Sequence, residues 1–393
     1  MKKKIFNFIS IFIPFFLFFL VLEIILRFTS LSPYEVPVYP YDYFEKNEKY
    51  GHDIKKNSKK KKFSSSEYNF DIWSNEIGCF DYSIKNIEDG YIYIAGASVS
   101  WGFVPLENNF GSILEKKLNK RVLKCGVPGH SSKQKYYKTL NVIKTLKKKP
   151  ELIIFVYGFP QDLKGDYLFP QYKVENNIFT TNKIISSYET GDVLIIEEKK
   201  RTLTKKIKYI LSQKSYVFRL SHLLHTNLRK KLRKLRKKNK TEIKKKNDSL
   251  LNNIGGAVSL SYFDEKKIRW LQNVWVEHLN TIKNFKEAAE KSGSKLLIIF
   301  WDDLPDYTAT MLEFGFANNL PFVLDNNKKV LNFLEKENIN YLNISQKMFE
   351  YVGYTSILDK RNLLKGKLIY NNNNHPNIEG NKFIAEKIIE KLN

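Results

Sequence analysis

The 393-residue sequence contains only two cysteines, Cys79 and Cys125, and six histidines. Two cysteines cannot frame a disulfide-stapled miniprotein. His222, His225 and His278 fall in helical stretches without a second ligand at a metal-binding spacing, so neither a metal nor a cofactor is expected. No internal repeat is visible, which excludes a repeat array. Acidic residues are scarce, 41 Asp+Glu against 66 Lys+Arg, for a net charge of +25. Such an excess invites a nucleic-acid partner. The apolar fraction of 42% and aromatic fraction of 14% support a core of ordinary size, which excludes a wholly disordered chain.

The position of the charge argues against nucleic acid. Residues 2–4 are three lysines, residues 55–62 hold six, and residues 229–246 hold twelve basic residues against one Glu. The remainder is nearly balanced. Residues 5–22 (IFNFISIFIPFFLFFLVL) carry no charge and the apolar run resumes after Glu23, enough to cross a bilayer core that takes about 20 helical residues. Three lysines precede the run, whereas Arg27 and Lys46 beyond it are offset by Glu35, Asp42 and Glu45. The positive-inside rule therefore predicts a cytoplasmic N-terminus and an extracytoplasmic main domain, periplasmic or at the cell surface. A cleaved signal peptide is the competing reading. It shares the basic start, but the run is long for one and no small-x-small cleavage site follows. A buried helix of a soluble protein would not be apolar on every face.

The division expected is an anchor over residues 1–30, a linker and docking segment over 31–90, and one domain over 91–393. In the last, apolar runs at 91–95 (YIYIA), 121–125 (RVLKC), 152–157 (LIIFVY), 295–301 (KLLIIFW) and 340–344 alternate with amphipathic helices. That alternation predicts an α/β fold, three-layer αβα, with a doubly wound parallel sheet of about five strands. An insertion over about 164–260 separates the third and fourth strands, and leucines at helical spacing make its second half helical. Cys125 reads as a core residue of a strand and Cys79 as part of the docking segment. A disulfide between them is permitted outside the cytoplasm, and their separation stays open. His130 borders the glycine loop and reads as a surface-loop residue, with a place lining the pocket as the alternative.

Ligands of such folds sit at the carboxyl ends of the strands. Four loops fall there: Gly96-Ala97-Ser98-Val99-Ser100-Trp101-Gly102, Cys125-Gly126-Val127-Pro128-Gly129-His130, Gly158-Phe159-Pro160-Gln161-Asp162, and Asn371-Asn372-Asn373-Asn374-His375-Pro376-Asn377. Pro376 suits a first helical position, which would leave His375 at the helix entrance. The first loop lacks the second glycine of the G-x-S-x-G elbow.

In order and spacing these loops resemble the blocks of the SGNH (GDSL-like) hydrolase family, over roughly residues 75–393. The resemblance implies a flavodoxin-like SGNH fold, Ser98 as nucleophile and His375 as general base. It further implies an oxyanion hole of the Ser98 and Gly129 N–H groups with the Gln161 side chain. The anchor with its Leu22-Glu23-Ile24-Ile25-Leu26-Arg27 end resembles membrane-held members. Three positions depart from the pattern: Ala97 for the first-block Asp, Gln161 for Asn, and Asn372 where the acid three residues before the histidine belongs. An amide cannot stabilise an imidazolium by charge, and an Asp to Asn change in a serine protease costs about 10⁴ in turnover. Either a Ser98–His375 dyad suffices, or another carboxylate such as Asp302 or Asp303 contributes, or the site is degenerate.

Two functions follow. One is a membrane-anchored serine esterase or O-acyltransferase acting on acyl esters, acetyl above all, of cell-envelope glycans or lipids. The other is a degenerate scaffold that binds a glycan or a partner in envelope assembly. Residues 229–246 read either as an interfacial helix on anionic lipid or as a solvated charge run.

Overall fold

The computed structural model describes residues 2–28, 39–65, 67–187, 194–197, 203–237, 269–302, 320–353, 364–371 and 373–393. The chain forms two compact units. One comprises Met1–Tyr41, Phe63–Asn69 and Lys199–Lys244, and its main elements are the helices Lys2–Phe28, Leu203–Lys214 and Tyr216–Lys237. The side chains of residues 2–12 lie outside those described. Among the described residues no helix is long and apolar enough to cross a membrane.

The other unit, Asp42–Lys62, Phe70–Glu198 and Lys245–Asn393, is built on strands β1 (Tyr91–Gly96), β2 (Val122–Gly126), β3 (Pro150–Phe159), β4 (Lys295–Asp302) and β5 (Tyr341–Asn343). All neighbours are parallel and the order is β5-β4-β3-β1-β2. This doubly wound arrangement reverses direction between β1 and β3, the point beyond whose strand ends such folds bind ligands. Strand side chains alternate between two cores. Tyr93, Phe155, Tyr157 and Phe300 face one, and Ile94, Ile154, Val156 and Ile299 face the other, so both faces are dry and the runs are apolar throughout.

Helices α2 (Ser132–Leu146), α4 (Arg269–Lys291) and α5 (Leu320–Lys336) cover the first face through Val142, Phe285 and Leu334. Helices α1 (Phe110–Leu118), α6 (Ile344–Val352) and α7 (Ile378–Leu392) cover the second through Leu114, Met348 and Ile388. The α/β class, the five parallel strands and the three layers agree with the sequence reading. Helix α3 (Gln161–Tyr167) follows β3 directly.

Two details differ from expectation. Helix α7 begins at Ile378 with Asn377 as its cap, the Asn377 side chain accepting from Gly380 N–H (2.9 Å). Pro376 lies outside the helix in a bridge with Ile369, because the asparagine supplies the acceptor that the first turn requires. The insertion opens with antiparallel hairpins, Tyr172–Glu175 with Ile178–Thr181 and Lys183–Ser187 with Leu194–Glu197. Its helical part runs to Lys237, and residues 238–268 lie outside those described.

The stretch before β1 is bound to the sheet. Cys79 and Cys125 form a disulfide with Cα atoms 4.5 Å apart. Asp81 receives Lys124 Nζ (3.1 Å), and Asp53 pairs with Lys138 Nζ; all four side chains are buried. Buried lysines are tolerable only when paired in this way. Removing the disulfide with Cys79→Ala plus Cys125→Ala frees a 46-residue separation and is expected to cost roughly 2–4 kcal/mol of unfolding free energy. The urea midpoint of the purified protein measures it, and an unchanged midpoint would refute the strap role.

Candidate active site

Beyond β1 the chain makes one helical turn, Ser98–Trp101, closed by Gly102 at φ 104°. A Cβ on Gly96 or on Gly126 would collide with Ser100. The turn thus rests directly on the ends of two strands. Asn109 locks it from outside, its Nδ2 donating to Ser100 O (3.1 Å) and Trp101 O (3.2 Å) while its Oδ1 caps α1 at Gly111 N–H (2.8 Å). Trp101 is buried, donates from Nε1 to Tyr43 Oη (3.1 Å) and packs on Phe80 and Phe103.

Ser98 and His375, 277 residues apart, meet at 2.8 Å between Oγ and Nε2. The other ring nitrogen, Nδ1, lies 3.2 Å from Asn373 Oδ1. The same oxygen accepts the His375 backbone N–H at 2.8 Å. That second bond fixes the chemistry, because a backbone N–H only donates and the Asn373 atom facing it must be the oxygen. Nδ1 must then carry the proton, leaving the Nε2 lone pair to accept from the Ser98 hydroxyl.

Asn373 was not among the residues singled out from sequence. Asn372, the residue expected in place of an acid, lies outside the described residues, as does Asp303. Asp302 is at the end of β4, where its backbone N–H donates to Ser345 Oγ (2.7 Å). His375 makes no bond to it.

Phe103 also escaped the sequence reading. Its ring lies on the imidazole with centroids 4.0 Å apart, and its backbone is left-handed at φ 48°, a costly conformation for a bulky residue. Tyr370 bridges the two, donating from Oη to Phe103 O (2.9 Å) and from N–H to His375 O (3.1 Å). Burial depresses the His375 pKa to about 4. Among the described residues no carboxylate offsets the shift, so the imidazole is neutral at pH 7.

Gly129 has φ 82°, and a Cβ there would press on Phe179 and Tyr172 at 3.0 Å. An L side chain would also cost about 1–2 kcal/mol in backbone energy. The loop is held by His52, whose Nε2 donates to Pro128 O (2.9 Å), and by His130, whose Nε2 donates to His52 O (2.9 Å). His130 is buried, contrary to the surface position expected, because the docking segment covers it. Burial lowers the pKa of both, His52 to about 4.

Among the described residues no protein group accepts the Ser98 or Gly129 N–H. Gln161 opens α3 with its side chain exposed. The neighbouring Asp162 is buried against Lys135 Nζ (2.6 Å) and accepts from Gly158 N–H (2.8 Å), which ties the end of β3 to α2. Among the described residues no group of three or more His, Cys, Asp or Glu is placed to hold a metal ion.

Imidazole NMR of the purified protein is expected to show His375 titrating near pH 4, and Phe103→Ala to move it towards the ordinary value of about 6.5. A native value near 6.5 would refute the burial. With the folded pKa values of His52, His130 and His375 lowered, the unfolded chain takes up protons first as pH falls below about 6.5. The melting temperature is therefore expected to drop from pH 7 to pH 5.

In comparisons with known proteins, no family model and no curated protein matches the sequence. Solved structures do match. A G-D-S-L family protein from Desulfitobacterium hafniense DCB-2 is 11% identical, covering 77% of this chain and 99% of its own, with a TM-score of 0.36. A member of the lipolytic protein G-D-S-L family from Veillonella parvula DSM 2008 is 12% identical, covering 76% and 96%, also with a TM-score of 0.36.

Proposed function

We propose that this protein is an SGNH-type serine esterase or O-acyltransferase, held outside the cytoplasm by its N-terminal helix. Its substrates would be acyl esters, acetyl above all, of cell-envelope glycans or lipids. The observation behind this reading is the Ser98 Oγ–His375 Nε2 contact of 2.8 Å with Nδ1 turned to Asn373 Oδ1, at the strand ends where such folds bind ligands. The uncharged run at residues 5–22 behind Lys2, Lys3 and Lys4 supports the anchor. The Cys79–Cys125 bond supports an oxidising compartment.

In this mechanism Ser98 Oγ attacks the ester carbonyl carbon as its proton passes to His375 Nε2. The oxyanion is held by the Ser98 and Gly129 N–H groups, with the Gln161 amide as a third donor. Collapse of the intermediate breaks the ester C–O bond, His375 returns the proton to the leaving alkoxide, and acyl-Ser98 remains. Water or a sugar hydroxyl, deprotonated at Nε2, then attacks the acyl carbon; the acyl C–Oγ bond breaks and Nε2 returns the proton to Ser98 Oγ. Which acceptor enters decides between hydrolysis and transfer.

A fluorophosphonate is expected to label Ser98, and His375→Ala to lower kcat/KM on an acetyl ester by about 10²–10⁴-fold. The acid limb of kcat/KM is expected near pH 4, since the base works only unprotonated. Asn373→Asp, which adds a charge beside Nδ1, should move that limb upward. A folded protein that takes no label and hydrolyses no ester would instead support the degenerate, binding-only scaffold, the alternative that an amide beside Nδ1 favours.

A further inference from the structure

Where the uncharged run of residues 5–22 ends, within the N-terminal helix, the Glu23 carboxylate grips the start of another helix. It accepts from Ser215 Oγ (2.9 Å) and from the backbone N–H groups of Tyr216 (3.0 Å) and Val217 (3.0 Å). These N–H groups open the helix Tyr216–Lys237 and have no acceptor within it, and negative charge is favoured at that end. Arg27 Nε donates to Glu23 Oε1 (3.0 Å), and Arg27 and Arg219 both lie over the Tyr216 ring. A carboxylate from a distant segment therefore caps this helix and fixes its first turn beside the last turns of the N-terminal helix.

Further along, Leu224, Leu228 and Leu232 recur every fourth residue and are 61%, 59% and 48% exposed. Ile207 and Leu211 repeat the spacing in the preceding helix and are likewise exposed. The helix Tyr216–Lys237 has no acidic residue, and the run of twelve cations begins within it at Arg229. An exposed leucine stripe on a helix rich in cations and without an acidic residue matches a surface that is apolar just beneath a negative layer, as an anionic bilayer is. Glu23 places the start of the helix at the edge of the apolar run, where such a layer would lie.

We propose that the helix Tyr216–Lys237 lies in the headgroup region of an anionic bilayer, leucine stripe inward, with Glu23 setting its depth. This rests on the reading of the N-terminal helix as a membrane anchor. At 1.5 Å per residue the helix would extend about 33 Å along the surface.

The test uses the full chain reconstituted in vesicles of phosphatidylcholine with phosphatidylglycerol. A nitroxide walked from residue 224 to residue 232, and separately placed by Leu17→Cys, is probed with oxygen and with a water-soluble nickel chelate. Loss of chelate collisions at 224, 228 and 232, with a helical period between them, is expected. Glu23→Ala should abolish that pattern, and Glu23→Gln, which keeps an acceptor, should retain part of it. Uniform chelate access from 224 to 232 would overturn the docking, as would a label shielded from both probes, which would indicate a protein partner. The Leu17→Cys label reports the anchor separately: lipid exposure there with chelate access at 224–232 refutes the docking alone, and its absence refutes the anchor reading.

Discussion

The attachment of the stretch before β1 to the parallel sheet is the constraint on which the site depends. The Cys79–Cys125 bond and the buried Asp81–Lys124 and Asp53–Lys138 pairs fix residues that then become walls. Tyr43 and Phe80 hold Trp101, the last residue of the turn that begins with Ser98. His52 holds Pro128, next to Gly129. Ser98 and Gly129 are thus set both by the strands they follow and by a segment packed across them. Such over-determination is what allows Phe103 to keep its left-handed backbone.

A second dependence runs through the imidazole. Burial and the Phe103 ring keep His375 neutral, and one amide oxygen, occupied by a backbone donor as well as by Nδ1, sets its tautomer. In a serine protease the Asp to Asn change is costly because the wrong tautomer is held. Here the His375 backbone N–H leaves Asn373 only one orientation in which it can be satisfied, so the amide retains the orienting role and loses only the charge.

Much of this was legible in the sequence, and the remainder was not for definable reasons. The strands are apolar on both faces because helices cover both, and the runs at 91–95, 152–157 and 295–301 show it. Ser98 and His375 could be singled out because their blocks keep order and spacing. Asn373 could not, since which of four consecutive asparagines turns to the ring depends on the backbone between Asn371 and His375. Phe103 gave no signal, because a left-handed phenylalanine is decided by its surroundings. His130 looked like a loop residue because its cover comes from 78 positions earlier in the chain. The hairpin strands in the insertion are four or five residues long, too short for alternation to stand out.

The amide beside Nδ1 also changes the charge balance of the proposed reaction. With a carboxylate there, the resting site would carry one negative charge and keep it when the imidazolium and oxyanion form. Among Ser98, His375 and Asn373 the resting set is then uncharged, and the proposed reaction creates one ion pair out of neutral groups. Within that set the pair has its own attraction and the oxyanion donors to stabilise it, and the attraction weakens as the two charges move apart. Chemistry of this kind depends on the short separation of Ser98 and His375, and these three side chains do not themselves repel a substrate bearing negative charge of its own.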